Sequence, residues 1–229
     1  GGLTPNASVT LGGASTATGT ITNDDSALVT LSPASASGNE NTDLTYTVTV
    51  DHALAWDLTV DYAVAGSGAD MAELSDYTVS GTSVTIPAGS TSTTFNVHLK
   101  DDTVVENAEE FTVTLGGLAP NTSVTLGAAS TATGTITNDD SAVVTLSPAS
   151  ASGNENTNLT YTVTVDHALA WDLTVDYAVA GSGADAAELS DYTLGGTSVT
   201  IPAGSTSATF NVHLVDDTVV ENAEEFTVT

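Results

Sequence analysis

The chain has 229 residues, of which 29 are Asp or Glu and only one, Lys100, is Lys or Arg, so the formal net charge is −28. Phosphate neutralisation and attraction to an anionic membrane surface both need basic residues, so the composition excludes nucleic acid and such membranes as partners. No apolar run reaches the length of a membrane helix, so direct membrane insertion is not expected. The 40% of hydrophobic residues predicts a folded protein. Because cysteine is absent, stability must come from core packing or from metal ions bound through oxygen.

An internal repeat of 115 residues organises the chain. Displacing the sequence by 115 positions aligns 114 pairs of residues, and only ten of these pairs differ. Residues 1–25 correspond to residues 116–140, which form the end of a repeat. We therefore predict a complete first unit at 26–140 and a second unit at 141–229 that lacks its last strand. Residues 1–25 are predicted to be the last strand of a preceding repeat or a donor strand.

Each unit is predicted to be all-β. Apolar and polar residues alternate in short runs, Gly, Pro, Ser and Asn separate the runs, and no stretch has a helical period. The seven predicted strands of the first unit are Ala27–Leu31, Leu44–Val50, Leu58–Val64, Ser83–Ile86, Thr94–Leu99, Phe111–Leu115 and one within Ser123–Ile136, interrupted near Gly127. Alternation places Leu44, Tyr46 and Val48 on an inner face. The pattern predicts tandem seven-stranded antiparallel immunoglobulin-like β-sandwiches.

An acidic loop joins two of these predicted strands. It contains the five carboxylates Asp101, Asp102, Glu106, Glu109 and Glu110, and it recurs unchanged at 216–225. Crowded carboxylates disfavour one another's ionisation, and a bound hard cation removes that cost. Ca²⁺ is suited to such a loop because it takes six to eight oxygen ligands. The alternative, from the residues alone, is a solvated acidic hairpin loop.

The order of motifs along the unit resembles the Calx-β domain family. The motifs are Gly38-Asn-Glu40, Asp76-Tyr-Thr78, Ile86-Pro-Ala-Gly89, Asp101-Asp102, Glu106-x-x-Glu109-x-Phe111 and Asn138-Asp-Asp140. The resemblance covers the whole repeat. It implies an immunoglobulin-type sandwich that binds Ca²⁺ at one end through acidic residues of several loops. Members of this family serve as calcium sensors in sodium–calcium exchangers and as tandem extracellular modules of large bacterial surface proteins.

Carried onto this chain, the resemblance implies Ca²⁺ ligands in both units. In the first unit the implied ligands are Glu40, Asp76, Asp101, Asp102, Glu106, Asp139 and Asp140. In the second unit they are Glu155, Asp191, Asp216, Asp217 and Glu221. The counterparts of Asp139 and Asp140 in the second unit would follow residue 229. Glu109 and Glu110 are second choices because they directly precede a predicted strand.

Three classes of function are open to such a chain. The leading hypothesis is a structural, calcium-stiffened repeat module of an extracellular bacterial adhesin or surface filament, with neighbouring repeats or identical subunits as head-to-tail partners. The alternative is a calcium-dependent module that binds a cell-surface or matrix ligand such as a glycan, although each unit has a single tryptophan, Trp56 or Trp171. Trp56 is expected either to cap the core or to form an exposed contact. Enzymatic activity is not expected, since no nucleophile motif accompanies the histidines.

The sequence starts and stops inside a repeat, and two explanations of this offset are open. The chain belongs to a longer array whose neighbouring repeats complete both ends, or subunits donate residues 1–25 to the open unit of the next molecule. Val9, Leu11 and Ile21 are the apolar residues of 1–25 that would fill the open unit. The near-identity of the copies favours the longer array.

Overall fold

The computed structural model describes residues 8–9, 12–14, 16–120, 123–220 and 222–229, and all the regular secondary structure in this part of the chain is β. None of these residues forms a helix long and apolar enough to cross a membrane. The first unit has ten strands: β1 (Ala27–Ser32), β2 (Ser35–Asn39), β3 (Asp43–Val50), β4 (Leu58–Ser67), β5 (Tyr77–Val79), β6 (Ser83–Ile86), β7 (Ser92–Leu99), β8 (Glu109–Ala119), β9 (Val124–Leu126) and β10 (Thr131–Thr137).

These strands form two five-stranded sheets whose inner faces meet in one core. The strand orders are β5-β7-β3-β1-β9 and β2-β10-β8-β4-β6. Tyr46 and Val48 of the first sheet and Phe111 and Val113 of the second are completely buried. The hydroxyl of Tyr46 crosses the core and donates to the carbonyl oxygen of Thr133 at 3.1 Å. The sandwich therefore buries the inner face that the alternation predicted.

The unit differs from the prediction at its first and last strands. The chain leaves one sheet at Ser32-Pro33 and enters the other as β2, and it makes the same change between β9 and β10. Both changes create parallel pairs, β1 with β9 and β2 with β10, so the prediction of a purely antiparallel fold is wrong for these pairs. The strand count of seven also differs from the ten observed. β2 lacks the apolar alternation on which the prediction depended, and β5 has only three residues.

In its described residues the second unit has no counterparts of β2, β9 and β10, and two short strands in separate two-stranded sheets replace the continuous β4. Its strands are β11 (Val144–Ser147), β12 (Asn158–Val165), β13 (Leu173–Asp176), β14 (Val179–Ser182), β15 (Tyr192–Leu194), β16 (Ser198–Ile201), β17 (Ser207–Leu214) and β18 (Glu225–Val228). Leu31 is 3% exposed, whereas its counterpart Leu146 is 38% exposed. The second unit therefore has an open groove of about 1020 Å³, whose lining includes Leu146, Leu159, Tyr161, Leu214, Phe226 and Val228.

The two units meet through Val105. Its N–H donates to the carbonyl oxygen of Ala168 at 2.9 Å, and its own carbonyl oxygen accepts the N–H of Ala170 at 3.0 Å. These two bonds form a parallel β-bridge with Leu169, and the Val105 side chain packs against the core of the second unit. The acidic loop of one unit is thus attached directly to the next unit.

Gly134 of β10 is the position at which the backbone approaches the core most closely. A Cβ atom added there would lie 2.1 Å from Cζ of Phe111, whose ring is completely buried. The same heptapeptide, Thr-Ala-Thr-Gly-Thr-Ile-Thr, occurs at 16–22, where a Cβ on Gly19 would meet no atom within 4 Å. The two glycines therefore have the same local sequence and opposite tertiary surroundings.

We predict that Gly134→Ala lowers the free energy of unfolding of the first unit by about 1–3 kcal/mol, because Phe111 must leave its packed position. Gly19→Ala is the matched control, and it should leave the stability unchanged. Urea unfolding of both variants measures the difference. Equal unfolding midpoints for the two variants would show that β10 does not pack on Phe111.

Candidate metal centre

The loops at one end of the first sandwich bring carboxylates together. Glu40 follows β2, Asp101 and Asp102 follow β7, and Asp139 and Asp140 follow β10. Asp76 precedes β5, Glu106 lies in the loop before β8, and Glu109 is the first residue of β8. Because neighbouring antiparallel strands run in opposite directions, the ends of some strands and the beginnings of others share this edge. Four separate segments of the chain, one of which is the acidic loop, therefore contribute acidic side chains to one surface.

Three groups of carboxylates have ligand oxygens that all lie within 4.8 Å of one another. The groups are Glu40 with Asp102 and Asp140, Glu40 with Asp101 and Asp139, and Asp76 with Glu106 and Glu109. The structure thus brings together all seven residues that the family resemblance implied for the first unit, and it adds Glu109. Glu110 belongs to none of the three groups, because successive residues of a strand face opposite ways.

Hydrogen bonds from the backbone hold these loops in place. The N–H of Asp102 donates to Glu40 Oε2 at 3.2 Å, and Asp102 Oδ1 accepts the N–H of Val104 at 2.7 Å. Asn138 connects two further loops, since its Oδ1 accepts the N–H of Glu106 at 3.1 Å and its Nδ2 donates to the carbonyl oxygen of Asp140 at 2.9 Å. The sequence analysis missed this role of Asn138. The recurrence of Asn-Asp-Asp at 23–25 was the signal for it.

Burial raises the pKa values of three glutamates in this cluster. Glu40 is 6% exposed, and burial followed by the charge of Asp102 raises its pKa. Burial and the charges of Asp102 and Asp76 raise the pKa of Glu106 to about 7. For Glu109, burial and the hydrogen bond with Asp76 raise the pKa to about 8. Each proton would be retained because no positive charge is close enough to stabilise the carboxylate.

A hard cation fits this set of donors. Lys100 is the only Lys or Arg of the chain, and its ammonium group donates to the carbonyl oxygen of Leu74 at 2.7 Å. Glu109 Oε2 and Asp140 Oδ2 are buried and have no hydrogen-bond partner. Eight carboxylates in three groups, two of which share Glu40, match the oxygen-rich coordination of Ca²⁺. Because Glu40 belongs to two of the groups, the arrangement favours neighbouring ions over a single ion.

The candidate ligands of the second unit are less completely assembled. Asp217 donates its N–H to Glu155 Oε2 at 3.3 Å, as Asp102 does to Glu40. A backbone hydrogen bond from Glu188 lowers the pKa of Asp191. However, Glu155 is exposed where Glu40 is buried, and Asp216 is exposed as well, while Glu221 lies outside the described residues. In the described part of this unit no three carboxylates come together.

The model of the Calx-beta domain matches residues 22–140 and 137–229. CBD12 from CALX1.2 shares 18% identity over 82% of this chain and 74% of that chain, with a TM-score of 0.43. The apo form of the Calx CBD1 domain shares 20% identity over 51% of this chain and 100% of that chain, with a TM-score of 0.44. No curated protein sequence matches the chain.

We predict that the metal-free chain loses stability as the pH rises from about 5 to 8.5. The pKa values of Glu106 and Glu109 are about 7 and about 8 in the folded state, against about 4.3 in an unfolded chain. A group whose pKa is raised by folding stabilises the protein fully below its unfolded pKa, and this contribution is lost as the pH rises through the folded pKa. Thermal melting of protein dialysed free of divalent ions measures the loss.

A double variant separates these two groups from the general repulsion within an acidic chain. Glu106→Gln with Glu109→Gln should flatten the dependence of the melting temperature on pH, whereas Glu110→Gln should leave it unchanged. An equal slope in the wild type and the double variant would contradict the raised pKa values.

Proposed function

The chain belongs to the Calx-beta domain family, and from this premise we propose that it is a structural, calcium-stiffened repeat module of an extracellular bacterial adhesin or surface filament. The tandem Calx-β repeats and the all-β, immunoglobulin-like fold expected from the motifs are confirmed. Calx-beta domains are binding and regulatory modules related to calcium-binding domains, and they are not catalytic. This agrees with the expectation that the chain is not an enzyme.

The observation that supports calcium binding is a cluster of buried carboxylates without a positive partner. One set of calcium ligands would consist of Glu40, Asp101, Asp102, Asp139 and Asp140. A second set would consist of Asp76, Glu106 and Glu109. Bound calcium supplies positive charge and oxygen coordination. With their charge balanced, Glu106 and Glu109 would give up the protons that their raised pKa values otherwise retain. Each ligand would then tie its loop to the others.

The position of Val105 supports the proposal that calcium stiffens the array. Val105 lies between the candidate ligands Asp102 and Glu106, and its backbone is bonded to the second unit. On the other side of the junction, Asp140 is followed directly by Ser141 and then by β11. Ordering the acidic loop would therefore order the contact with the next unit. A junction this short has much less freedom than a flexible Gly/Ser linker.

The composition supports an extracellular location and a role as a spacer. A single Lys and no Arg leave few sites for trypsin-like proteases, and the net charge of −28 favours solubility. Two near-identical units are consistent with selection for length. We propose the cell surface as the location, and neighbouring repeats or identical subunits as the partners.

The alternative function, a calcium-dependent module that binds a glycan or another ligand, has one observation in its favour. Trp56 and Trp171 are both exposed, and exposed tryptophan is a common contact in such sites. The exposure of both tryptophans favours a role as an exposed contact over a role in capping the core. The aromatic pairs in the described residues involve only tyrosine and phenylalanine, so neither tryptophan belongs to an aromatic cluster. This arrangement favours the structural role.

We predict that calcium raises the melting temperature of the first unit by several degrees over the same protein in chelator. Binding to the folded state alone adds RT ln(1 + [L]/Kd), or about 2.7 kcal/mol at a hundredfold excess over Kd. The double variant Asp102→Asn, Glu106→Gln should lose this difference, and in chelator it should melt above the wild type because two repelling charges are gone. Glu110→Gln is the control and should respond to calcium as the wild type does.

We also predict that calcium narrows the range of angles between the two units. Small-angle scattering, at concentrations where the chain is monomeric, should give a single elongated shape with calcium and a broader distribution in chelator. A maximum dimension that is the same in both conditions would contradict the stiffening role.

A further inference from the structure

We propose that the outer groove of the first unit binds an amino sugar, that is, a saccharide that carries a protonated amine. The outer groove is a space of about 610 Å³ over strands β3, β5 and β7, on the face of their sheet that points away from the core. None of the described residues that line it is a candidate calcium ligand. The inference therefore goes beyond the proposed function and does not depend on it.

A chain of hydrogen bonds fixes four polar side chains beside the outer groove. Thr45 Oγ1 donates to Asn96 Oδ1 at 2.9 Å, and Asn96 Nδ2 donates to Asp43 Oδ2 at 3.2 Å. The other oxygen, Asp43 Oδ1, lies 2.7 Å from Nδ1 of His98, which is its direct partner across β3 and β7. The Asp43 carboxylate is therefore held in one orientation, although 50% of its side chain is exposed.

The fixed carboxylate makes the outer groove a site for positively charged hydrogen-bond donors. A carboxylate has about four lone-pair positions, and Asn96 and His98 occupy two of those of Asp43. When His98 donates through Nδ1, its neutral ring presents Nε2 as a further acceptor. The ammonium group of Lys100, the only Lys or Arg of the chain, donates to the carbonyl oxygen of Leu74. A ligand with a protonated amine would supply both the charge and the donors.

The remaining lining residues favour a saccharide over a peptide. Thr78, Ser80 and Thr94 add hydroxyl groups near the carboxylate. Hydroxyl groups both donate and accept, so they can pair with the neighbouring hydroxyls of a sugar ring. A peptide that joined this sheet would do so as an added strand, but the edge strand β5 has only three residues. The chemistry of the groove therefore points to an amino sugar.

The differences between the two units are concentrated at the outer groove. Three of its eight lining residues are replaced in the second unit. The replacements are Asp43 by Asn158, Val79 by Leu194 and Ser80 by Gly195. Over the whole aligned repeat only ten of 114 pairs differ, so the lining differs far more often than the rest of the unit. Such a concentration is expected at a site whose ligand preference differs between neighbouring units.

The replacement of Asp43 removes a charge and keeps the local geometry. His213 Nδ1 lies 2.8 Å from Asn158 Oδ1, and Thr160 Oγ1 donates to Asn211 Oδ1 at 2.7 Å, as their counterparts do in the first unit. The amide oxygen of Asn158 is a neutral acceptor, and hydrogen bonds to an ionised acceptor are about twice as strong as neutral ones. The second unit should therefore bind the same ligand more weakly, and it serves as an internal control.

The first test is calorimetric titration of the chain with the disaccharide of glucosamine. The titration is made in calcium at about 0.15 M salt, where exposed charges more than about 8 Å apart are largely screened. The wild type should bind one equivalent, and Asp43→Asn should weaken this binding about tenfold or more. The N-acetylated disaccharide, which is neutral, should bind more weakly by a similar factor. Asp61→Asn is the matched control, because it removes the same charge from an exposed position of β4 in the other sheet, and it should leave the affinity unchanged.

A gain of binding in the second unit is the second test. Asn158→Asp, Leu194→Val and Gly195→Ser together make the eight lining positions identical in the two units. Gly195 can accept a side chain, since a Cβ atom there would meet no atom within 4 Å. The triple variant should bind two equivalents of the disaccharide. The NMR signals of the His213 imidazole should then shift during the titration, as those of His98 should in the wild type.

Several results would overturn the proposal. They are no binding of the glucosamine disaccharide, equal affinities of the wild type and Asp43→Asn, and His98 signals that do not move. Tighter binding of a lysine-containing peptide than of the disaccharide would also overturn it, because the ligand class would then be a peptide. Should Asp43→Asn fail to fold, the triple variant tests the same assignment, since it adds the carboxylate to the other unit.

A titration in chelator separates this proposal from the calcium proposal. The described lining of the outer groove contains no candidate calcium ligand, so the affinity for the disaccharide should be the same with and without calcium. Failure of the calcium proposal would leave the titration unchanged and would remove only the effect of calcium on the melting temperature. Loss of disaccharide binding with an intact calcium response would overturn the groove alone.

Discussion

The repulsion among carboxylates at one end of the sandwich is the constraint on which the structure depends most. Eight acidic side chains from four segments meet there, and the ammonium group of the single Lys donates to the carbonyl oxygen of Leu74. Burial makes the repulsion stronger, because the buried Glu40 has little contact with water that could screen its charge. The fold can keep such an arrangement only if protons or cations balance the charge. In the metal-free protein, the protons that Glu106 and Glu109 retain because of their raised pKa values supply that balance.

The acidic end of one unit is also its attachment to the next. Val105 lies between candidate ligands and is bonded to Ala168 and Ala170, so the charge balance of the cluster and the geometry of the junction involve the same loop. The two units differ most at positions where only one of them contacts a neighbouring segment of the chain. Leu169 and the carboxylate Glu40 are buried, while their counterparts Leu54 and Glu155 are half-buried and exposed, respectively. Neighbouring segments therefore complete both the core and the site.

Alternation predicted the long strands well, because a strand with one buried face needs an apolar residue at every second position. Tyr46 and Val48 are buried as the pattern required. The strand β2 had no such pattern, since it is made of small residues at an edge, and β5 has only three residues. The parallel pairing of β1 with β9 and of β2 with β10 was not predictable either, because it depends on where the chain changes sheets. For the site, the order of motifs along the chain indicated the acidic residues, but it made Glu109 only a second choice as a ligand and gave no role to Asn138.

What the sequence determined by itself is local or repeated: the all-β class, the 115-residue period, the acidic loop and its lack of positive partners. These properties follow from residue types and their spacing, which the chain carries whether it is folded or not. Only the tertiary structure decided which carboxylates approach one another and what becomes of identical segments. Residues 16–22 and 131–137 have the same sequence, yet Ile136 is buried and Ile21 is exposed. A strand acquires its partners from surfaces formed by residues distant in sequence, and only β10 has those surfaces beside it in this chain.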